Sequence, residues 1–498
     1  MTDAADSSAT LSDPVRRALL DAPLAREREA GSMQRQLHER LKRAILDGRL
    51  APGTRLPGSR ALAEALAVSR NTVTATYEHL AAEGYLRPDR QGMRVMELAA
   101  PAQPRRGPRA PAVPATAGRL ARIHPMGSRA EPELALRPGV PALSHFPIAA
   151  WRGALDRALR GAGHAALGYG NPFGEPALRA AIAQHLGLAR GVRCTAEQVV
   201  IAEGAQEAIA LCVRLLTDPG DTAWVEDPGY RGAKSAMHAG DLRIVPMPVD
   251  AGGLRASEED WRLQTPRLVY ATPSHQYPSG VVLGIARRLA LIAQARAHGA
   301  WIIEDDYDSE FRHTGDPIAA MQGLVPQAPV LYVGTFSKTM FPSLRLGFLV
   351  LPEDLLATVR APLEEMLRGG HRHEQLALAD FIESGQFSRH LGRMRRLYRE
   401  RQQALRAALE RHFRLPHTID GGHCGMHLTL RLPARFDDRR IAAEARRHRM
   451  APMPLSAAAI RPGPDCNGLV LGYGNTSAEL FEPMAKRLAQ LARAVDAG

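Results

Sequence analysis

Cysteine is scarce in this sequence, and a long apolar segment is missing. The 498 residues include four scattered cysteines without a Cys-x-x-Cys pair, namely Cys194, Cys212, Cys424 and Cys466. This pattern argues against a disulfide framework and against a metal site, and it predicts reduced thiols, as in a cytoplasm. No segment approaches the run of about 18 apolar residues that a membrane-spanning helix requires. The N-terminus has no basic stretch followed by an apolar one, so no secretory signal is expected.

Acidic residues are outnumbered by basic ones. Asp and Glu total 52 against 64 Lys and Arg, which gives a formal net charge of +12. A basic balance is compatible with a nucleic-acid partner, although alone it is a weak signal. With 45% hydrophobic and 23% charged residues, the composition is that of a globular protein, and the length allows roughly two to four domains.

Two segments lack the apolar periodicity of folded structure. Residues 1–32 are polar and are expected to form a flexible tail. Residues 97–134 are rich in proline and arginine, which predicts a semi-extended basic linker that lets its neighbours move relative to each other. These segments set off a compact unit at 33–96 and a much longer one at 135–498.

Short apolar runs alternate with helical patterns in the longer unit. Val199–Ile201 and Leu331–Val333 are examples of such runs. The alternation is typical of an α/β fold with a largely parallel sheet. We expect a large lobe at about 150–385 and a small lobe at about 386–498.

The compact unit has the pattern of a winged helix-turn-helix. Apolar residues every four positions from Leu37 to Ile45 predict a first helix, and Ser59 and Ser69 are candidate N-caps of a second and a third. Residues 85–95 read as a two-stranded wing. A helix that begins beside an arginine and an asparagine suits phosphates through its free amides and base edges through its side chains.

The segment RLPGSRALAEALAVSRNTVTATYEHLAAEGYL resembles the winged helix-turn-helix of the GntR family. The resemblance covers about residues 33–96 and implies a double-stranded DNA operator as partner. The wing, PDRQGMRV, departs from the glycine-rich wing that the family often has. The implied DNA-binding residues are Arg60, Ser69, Arg70, Asn71, Thr72, Gly92 and Arg94.

Lys338 is the most informative residue of the longer unit. It follows an apolar run, Asp305 closes another such run upstream, Tyr307 comes two positions after Asp305, and Arg345 comes seven after the lysine. Such a set suits pyridoxal phosphate (PLP), because a lysine amine forms a Schiff base with its aldehyde and a carboxylate keeps its pyridine nitrogen protonated. The arginine would neutralise the phosphate.

Two assignments have alternatives. Asp306 and Asp308 compete with Asp305, which is preferred because it closes the strand and keeps Tyr307 two positions away. Tyr230 either stacks on the pyridine ring or is a core tyrosine.

Residues 135–498 resemble fold-type I aminotransferases, and the whole chain resembles the MocR-type bacterial regulators. The implied fold is multidomain, with a winged helix-turn-helix followed by an α/β PLP-dependent transferase-like domain. The family also implies a domain-swapped homodimer, in which Tyr169 reaches the partner's phosphate, and a cytoplasmic protein that joins the nucleoid when bound to DNA. The implied cofactor residues are Lys338, Asp305, Tyr307, Tyr230, Ala205, Gln206, Thr335, Ser337, Arg345 and Tyr169.

Two departures favour a sensor over an enzyme. Tyr277 stands where working aminotransferases have an asparagine, and Val470 stands where they have the arginine that binds a substrate carboxylate. Whether Arg461 replaces that arginine stays open.

We therefore expect a PLP-dependent transcriptional regulator that senses PLP, an amine or an amino acid, and that controls vitamin B6 synthesis or amine metabolism. The first alternative is an active aminotransferase with an appended DNA-binding domain. The second is a constitutive DNA-binding protein whose pocket is structural.

Overall fold

The computed structural model describes residues 24, 31–89, 92–97, 116–123, 134–315 and 318–496. The chain divides into two compact units, Met1–Pro114 and Ala115–Gly498. Nearly all of the predicted tail and most of the predicted linker lie outside the described residues. Within the described part, no helix combines the length and the apolar character needed to cross a membrane.

Among its described residues, the N-terminal unit has three helices and a hairpin, as the sequence predicts. Its elements are α1 (Met33–Leu46), α2 (Ser59–Ala65), α3 (Arg70–Ala82), β1 (Leu86–Asp89) and β2 (Gly92–Val95). Leu37 and Leu41 of α1 pack with Val73 and Leu80 of α3 in a core where all four side chains are fully buried. The apolar stripes of α1 and α3 therefore face each other and fix the angle at which α3 is presented.

One of the two predicted N-caps is confirmed. The Ser69 hydroxyl accepts a hydrogen bond from the Thr72 amide at 3.0 Å and so caps α3. The prediction for Ser59 is wrong, because Gly58 is the N-cap of α2 and Ser59 is its first helical residue. The Ser59 hydroxyl instead accepts from Arg70 Nε at 3.3 Å.

A mixed eight-stranded sheet forms the centre of the second unit. Its strand order is β3-β10-β9-β8-β7-β4-β5-β6. The five central strands, β9, β8, β7, β4 and β5 in spatial order, run parallel to one another. Strand β10 is antiparallel to both of its neighbours, and β6 is antiparallel to β5. The strands are β3 (Val199–Ala202), β4 (Thr222–Asp227), β5 (Arg243–Asp250), β6 (Gly253–Leu254), β7 (Leu268–Ala271), β8 (Trp301–Asp306), β9 (Val330–Thr335) and β10 (Gly347–Val350).

Helices cover both faces of this sheet, as the alternating sequence pattern predicts. On one face, the apolar sides of α6 (Ala205–Leu216), α7 (Arg231–Ala239) and α11 (Glu353–Met366) pack on the strands. On the other face the helices include α5 (Pro176–Arg190), α12 (Arg372–Glu383) and α13 (Gln386–His412). The helices are α4 (Ile148–Ala162), α5 (Pro176–Arg190), α6 (Ala205–Leu216), α7 (Arg231–Ala239), α8 (Glu258–Leu263), α9 (Ile285–Ala297), α10 (Met321–Leu324), α11 (Glu353–Met366) and α12 (Arg372–Glu383).

The small lobe is a four-stranded antiparallel sheet with three helices. Its strand order is β11-β12-β14-β13. The elements are α13 (Gln386–His412), β11 (Thr418–Asp420), β12 (His427–Arg431), α14 (Asp438–Arg447), β13 (Met453–Pro454), β14 (Gly468–Gly472) and α15 (Phe481–Asp496). The long helix α13 packs against both lobes, and its Leu405 shares a core with Leu488 of α15.

A short part of the predicted linker is described. Residues 116–123 include one 3-10 turn, Gly118–Arg122, which contacts α7. Arg122 forms an ion pair with Asp241, just beyond α7. This stretch therefore packs on the second unit.

Candidate functional site

The site lies at the carboxyl edge of the parallel strands. Strands β8 and β9 are paired neighbours, with Asp305 opposite Val333 and Asp306 opposite Gly334. Their carboxyl ends meet at one edge of the sheet, which is where α/β proteins bind ligands. The turn after β9 carries Lys338 to this edge.

Asp305 is a buried carboxylate with half of its hydrogen-bonding capacity unused. Its Oδ2 accepts a hydrogen bond from the Tyr270 hydroxyl at 2.6 Å. Its Oδ1 is buried and has no hydrogen-bond partner among the described residues. Burial raises the pKa of Asp305 to about 7, although the Tyr270 hydrogen bond acts in the opposite direction. A buried carboxylate in this state lacks a cationic donor, and a protonated pyridine nitrogen is such a donor.

The two competing carboxylates have other partners. Asp306 Oδ2 accepts from Arg190 Nε at 2.8 Å and from the Tyr332 hydroxyl at 2.5 Å. Adjacent side chains of a strand point to opposite faces, so Asp306 lies across the sheet from Asp305. Asp308 Oδ1 lies 2.8 Å from His275 Nδ1. This geometry favours Asp305 as the ring-nitrogen partner.

Lys338 is held by a backbone carbonyl from a distant part of the chain. Its Nζ donates a hydrogen bond to Gly139 O at 2.7 Å. A Cβ at Gly139 would lie 3.1 Å from Nζ, so the glycine leaves room for the amine. Burial lowers the pKa of Lys338, while Asp308 and Asp305 oppose the shift. The neutral amine is the form that attacks an aldehyde, and the environment increases its share.

A glycine turn and a guanidinium lie side by side at the start of α6. Gly204 precedes the helix with φ +83°, and a Cβ there would lie 3.6 Å from Arg345 Nη1. Arg345 Nη2 donates to Glu203 O at 2.8 Å, which holds the guanidinium beside the turn. The free amides at a helix N-terminus and a guanidinium together suit a phosphate dianion.

Other predicted phosphate residues have mixed placements. Ala205 and Gln206 form the first turn of α6. The Gln206 side chain donates to Gly232 O at 2.9 Å, which leaves its backbone amide as the candidate phosphate donor. The Thr335 hydroxyl accepts from the Ser337 amide at 3.1 Å, which shapes the turn before Lys338.

Three tyrosine rings, those of Tyr230, Tyr277 and Tyr307, pack edge to face in a row. The rings of Tyr230 and Tyr277 lie 6.1 Å apart at 90°, and those of Tyr277 and Tyr307 lie 6.0 Å apart at 86°. The Tyr307 hydroxyl donates to His275 O at 3.0 Å. The Tyr277 hydroxyl lies 3.3 Å from Met453 Sδ, a contact with the small lobe.

Sequence reasoning missed a pair of buried histidines behind Tyr307. His275 Nδ1 lies 3.0 Å from the Tyr307 hydroxyl as well as 2.8 Å from Asp308 Oδ1, and the His275 and His427 rings are 4.8 Å apart. Burial lowers the pKa of His427 to about 4, which keeps it neutral. The one available signal was that His275 stands two residues before Tyr277.

Val470 lies on β14, paired with residues that contact Tyr277 and Pro278. On β14 it is paired with Thr429 of β12, and paired residues of antiparallel strands share a face. The Thr429 hydroxyl donates to Pro278 O at 2.6 Å, directly after Tyr277. Val470 is fully buried. Arg461 is exposed, and its backbone amide donates to Asp227 Oδ2 at 2.9 Å.

Tyr169 is almost fully exposed on the surface of the single chain. Its side chain is 97% exposed in the single chain. Leu167 and Ile148 are also strongly exposed, at 72% and 69%.

The predicted DNA-binding residues cluster around the N-terminus of α3. Arg60, Ser69, Arg70 and Asn71 are exposed, and Thr72 is partly exposed. Among the wing residues, Arg94 forms an ion pair with Asp89 and donates from Nη1 to Gly53 O at 3.1 Å. The residue therefore braces the hairpin.

Gly92 is the first residue of β2, the second strand of the wing. It is exposed, has φ +136° and pairs with Asp89 across the hairpin.

The comparisons with known families agree with the two-unit architecture. The model "Bacterial regulatory proteins, gntR family" matches residues 33–95, and "Aminotransferase class I and II" matches residues 136–435. The chain is 40% identical to a probable rhizopine catabolism regulatory protein, MocR, of Rhizobium meliloti, over 89% of this chain and 90% of the relative. It is 34% identical to the pyridoxine biosynthesis transcriptional regulator PdxR of Corynebacterium glutamicum, over 78% and 82% of the two chains.

A solved aminotransferase matches the second unit. The crystal structure of LysN, an α-aminoadipate aminotransferase of Thermus thermophilus in complex with N-(5'-phosphopyridoxyl)-L-leucine, superposes with a TM-score of 0.69. The match has 27% sequence identity and covers 77% of this chain and 98% of LysN.

Proposed function

The chain belongs to the MocR-type regulators of the GntR family, which join a DNA-binding winged helix to a PLP-binding aminotransferase-like domain, and from this premise we propose that occupancy of the pocket at Lys338 controls how the winged helix binds its operator. The partnerless Oδ1 of Asp305 beside Lys338 carries the cofactor assignment. For a ligand to act as a switch, it must bind two arrangements of the protein with different affinity.

Each of the predicted cofactor residues would contact a different part of PLP. The cofactor supplies an aldehyde for covalent attachment and a ring that withdraws electrons. Lys338 supplies the amine, and Asp305 holds a proton at the ring nitrogen. Arg345 and the first amides of α6 would bind the phosphate. Tyr230 and Tyr307 would contact the ring.

Tyr277 and Val470 favour sensing over transamination. A substrate carboxylate that reached Val470 would meet a buried apolar side chain where an enzyme places an arginine. Tyr277 cannot supply the amide group of the asparagine that it replaces. We infer that binding of an amino acid in the orientation needed for turnover is disfavoured here.

Val470 also bears on the effector. The two regulators compared above are named for rhizopine catabolism and for pyridoxine biosynthesis. A pocket without a guanidinium at Val470 suits PLP itself or an amine better than an α-amino acid. We propose one of these two classes as the effector, with control of vitamin B6 synthesis or amine metabolism as the output.

A homodimer would complete the pocket. Tyr169, Leu167 and Ile148 expose apolar area on one chain, and a partner subunit would cover it. Tyr169 would then reach the partner's phosphate. A two-fold dimer would also match two operator half-sites.

The test compares operator binding by the wild type and by Lys338→Ala, each with and without PLP. We expect PLP to change the affinity or the footprint of the wild type, and we expect the variant to bind DNA but not to respond. The variant should also lose the visible absorbance band of the bound cofactor and its trapping by borohydride. If the wild type takes up PLP but binds the operator with the same affinity and footprint with and without it, the switch is refuted. That result would favour a constitutive DNA-binding protein.

An active aminotransferase is the second candidate function, because the complete aminotransferase fold and the reactive lysine are present. Turnover of an amino donor at about 1 per second or faster would support it. Slow half-reactions would fit either function.

A further inference from the structure

We propose that the N-terminal unit holds a divalent-cation site, selective for Zn²⁺, formed by His38, His79 and Glu83. The three residues come from two helices. His38 lies on α1, His79 lies in the last turn of α3, and Glu83 is the C-cap of α3. One ligand atom from each lies within 4.8 Å of the others.

The distances are close to those of a zinc coordination shell. His38 Nε2 lies 2.8 Å from Glu83 Oε1, and His79 Nε2 lies 3.5 Å from the same oxygen. Tetrahedral zinc with bonds of about 2.1 Å separates its ligand atoms by about 3.4 Å. The His79–Glu83 separation already matches, and an opening of about 0.6 Å between His38 and Glu83 would admit the ion, with a fourth position left for water.

The surroundings already support such ligands. Lys42 Nζ donates to Glu83 Oε2 at 2.8 Å and leaves Oε1 for the histidine side. Glu39 Oε1 lies 4.0 Å from His38 Nδ1, on the side where a carboxylate commonly orients a zinc-bound histidine. The site also sits at the C-terminus of α3, where the helix dipole favours a cation.

The three candidate ligands differ in exposure, and this difference leaves one side of the site open to an incoming ion. The His38 side chain is 9% exposed and is fixed between the helices, whereas the side chains of His79 and Glu83 are 59% and 28% exposed. An ion can enter from the His79 side without opening the core.

The site would tie α1 to the far end of α3. The predicted DNA-binding residues Ser69 to Thr72 are at the opposite end of that helix. Zinc would therefore stabilise the winged helix without occupying its DNA-binding end.

The experiment measures zinc binding by the full-length protein, freed of metal with a chelator and dialysed against buffered Zn²⁺. We expect one zinc per chain at low micromolar free Zn²⁺, and at least tenfold weaker binding in His79→Ala. His164→Ala is the matched control, because His164 is an exposed histidine outside the N-terminal unit, and it should bind like the wild type.

A second readout guards against a variant that simply misfolds. Zinc should raise the melting temperature of the winged-helix transition in the wild type and in His164→Ala, but not in His79→Ala, whose melting temperature without zinc should stay near that of the wild type. Equal zinc binding by His79→Ala and the wild type would overturn the proposal. So would a wild type that binds zinc only above about 100 μM.

Discussion

Replacing Asp305 with asparagine should have opposite effects on two measurable quantities. It should relieve the loss of folding stability that the buried carboxylate causes in the cofactor-free protein, and it should weaken the binding of PLP. Burial raises the pKa of Asp305 from 3.8 to about 7. An acid whose pKa is higher in the folded state favours folding less and less as the pH rises from the unfolded value to the folded value. The relevant window is therefore about pH 4 to 7.

The size of this cost follows from the shift. Each unit of pKa corresponds to about 1.4 kcal/mol, so a shift of about three units sets an upper limit of about 4 kcal/mol above pH 7. Asparagine has no charge to desolvate and can still accept from Tyr270. We expect cofactor-free Asp305→Asn at pH 8 to be at least as stable as the wild type, with a smaller difference at pH 5.

The loaded protein should respond in the opposite direction. A hydrogen bond to a charged group contributes about 1.5–3 kcal/mol, which corresponds to a roughly 10- to 150-fold loss of PLP affinity in Asp305→Asn. The assays are thermal unfolding at pH 5 and 8 with and without PLP, and a visible-absorbance titration with PLP.

Asp306→Asn is the matched control. This neighbouring carboxylate pairs with Arg190 on the other face of the sheet. Breaking that buried pair should lower the stability of the empty and the loaded protein alike, by about 3–5 kcal/mol. If Asp305→Asn destabilises the empty protein at pH 8 and leaves PLP affinity unchanged, Asp305 does not pair with the ring.

Three further substitutions probe the two units. Tyr270→Phe should weaken PLP binding by about 1 kcal/mol, because it removes the 2.6 Å hydrogen bond that orients the Asp305 carboxylate. This loss should be smaller than that of Asp305→Asn, and an equal or larger loss in the absorbance titration would contradict the prediction. Ser69→Ala should lower the stability of the winged helix by about 1 kcal/mol through loss of the α3 cap, and an unchanged melting temperature would contradict it. Arg70→Ala should weaken operator binding by about 1–3 kcal/mol if the arginine reads a base, whereas an equal loss on every DNA sequence in a binding assay would identify a phosphate contact.

The winged helix was the part most open to prediction, because its signals are local. The spacing from Leu37 to Ile45 marks α1, and the Ser69 cap marks the start of α3. The Ser59 cap failed for a local reason as well, since Gly58 takes the N-cap position one residue earlier. A serine at a helix start does not show from sequence whether its hydroxyl caps the helix or binds another side chain.

The cofactor site was only partly predictable. Lys338 stands out because it follows the buried strand β9, and Asp305 stands out because it lies at the end of the neighbouring strand β8. The sequence could not show the partners that give these residues their chemistry. Lys338 binds a carbonyl at Gly139, and His275 meets Asp308 across the site. Such contacts depend on strand order and on the packing of the small lobe.

By itself, the sequence determined the order of the elements, the two kinds of domain and the lysine that marks the pocket, because caps, turns and apolar periods act over a few residues. Only the tertiary structure shows the different partners of Asp305, Asp306 and Asp308, on which the proposed role of Asp305 rests. Strand β8 is buried through most of its length on both faces, so its apolar pattern does not show which side chain points to which face. The neighbours on each face distinguish the two carboxylates, with Arg190 binding Asp306 and Tyr270 binding Asp305.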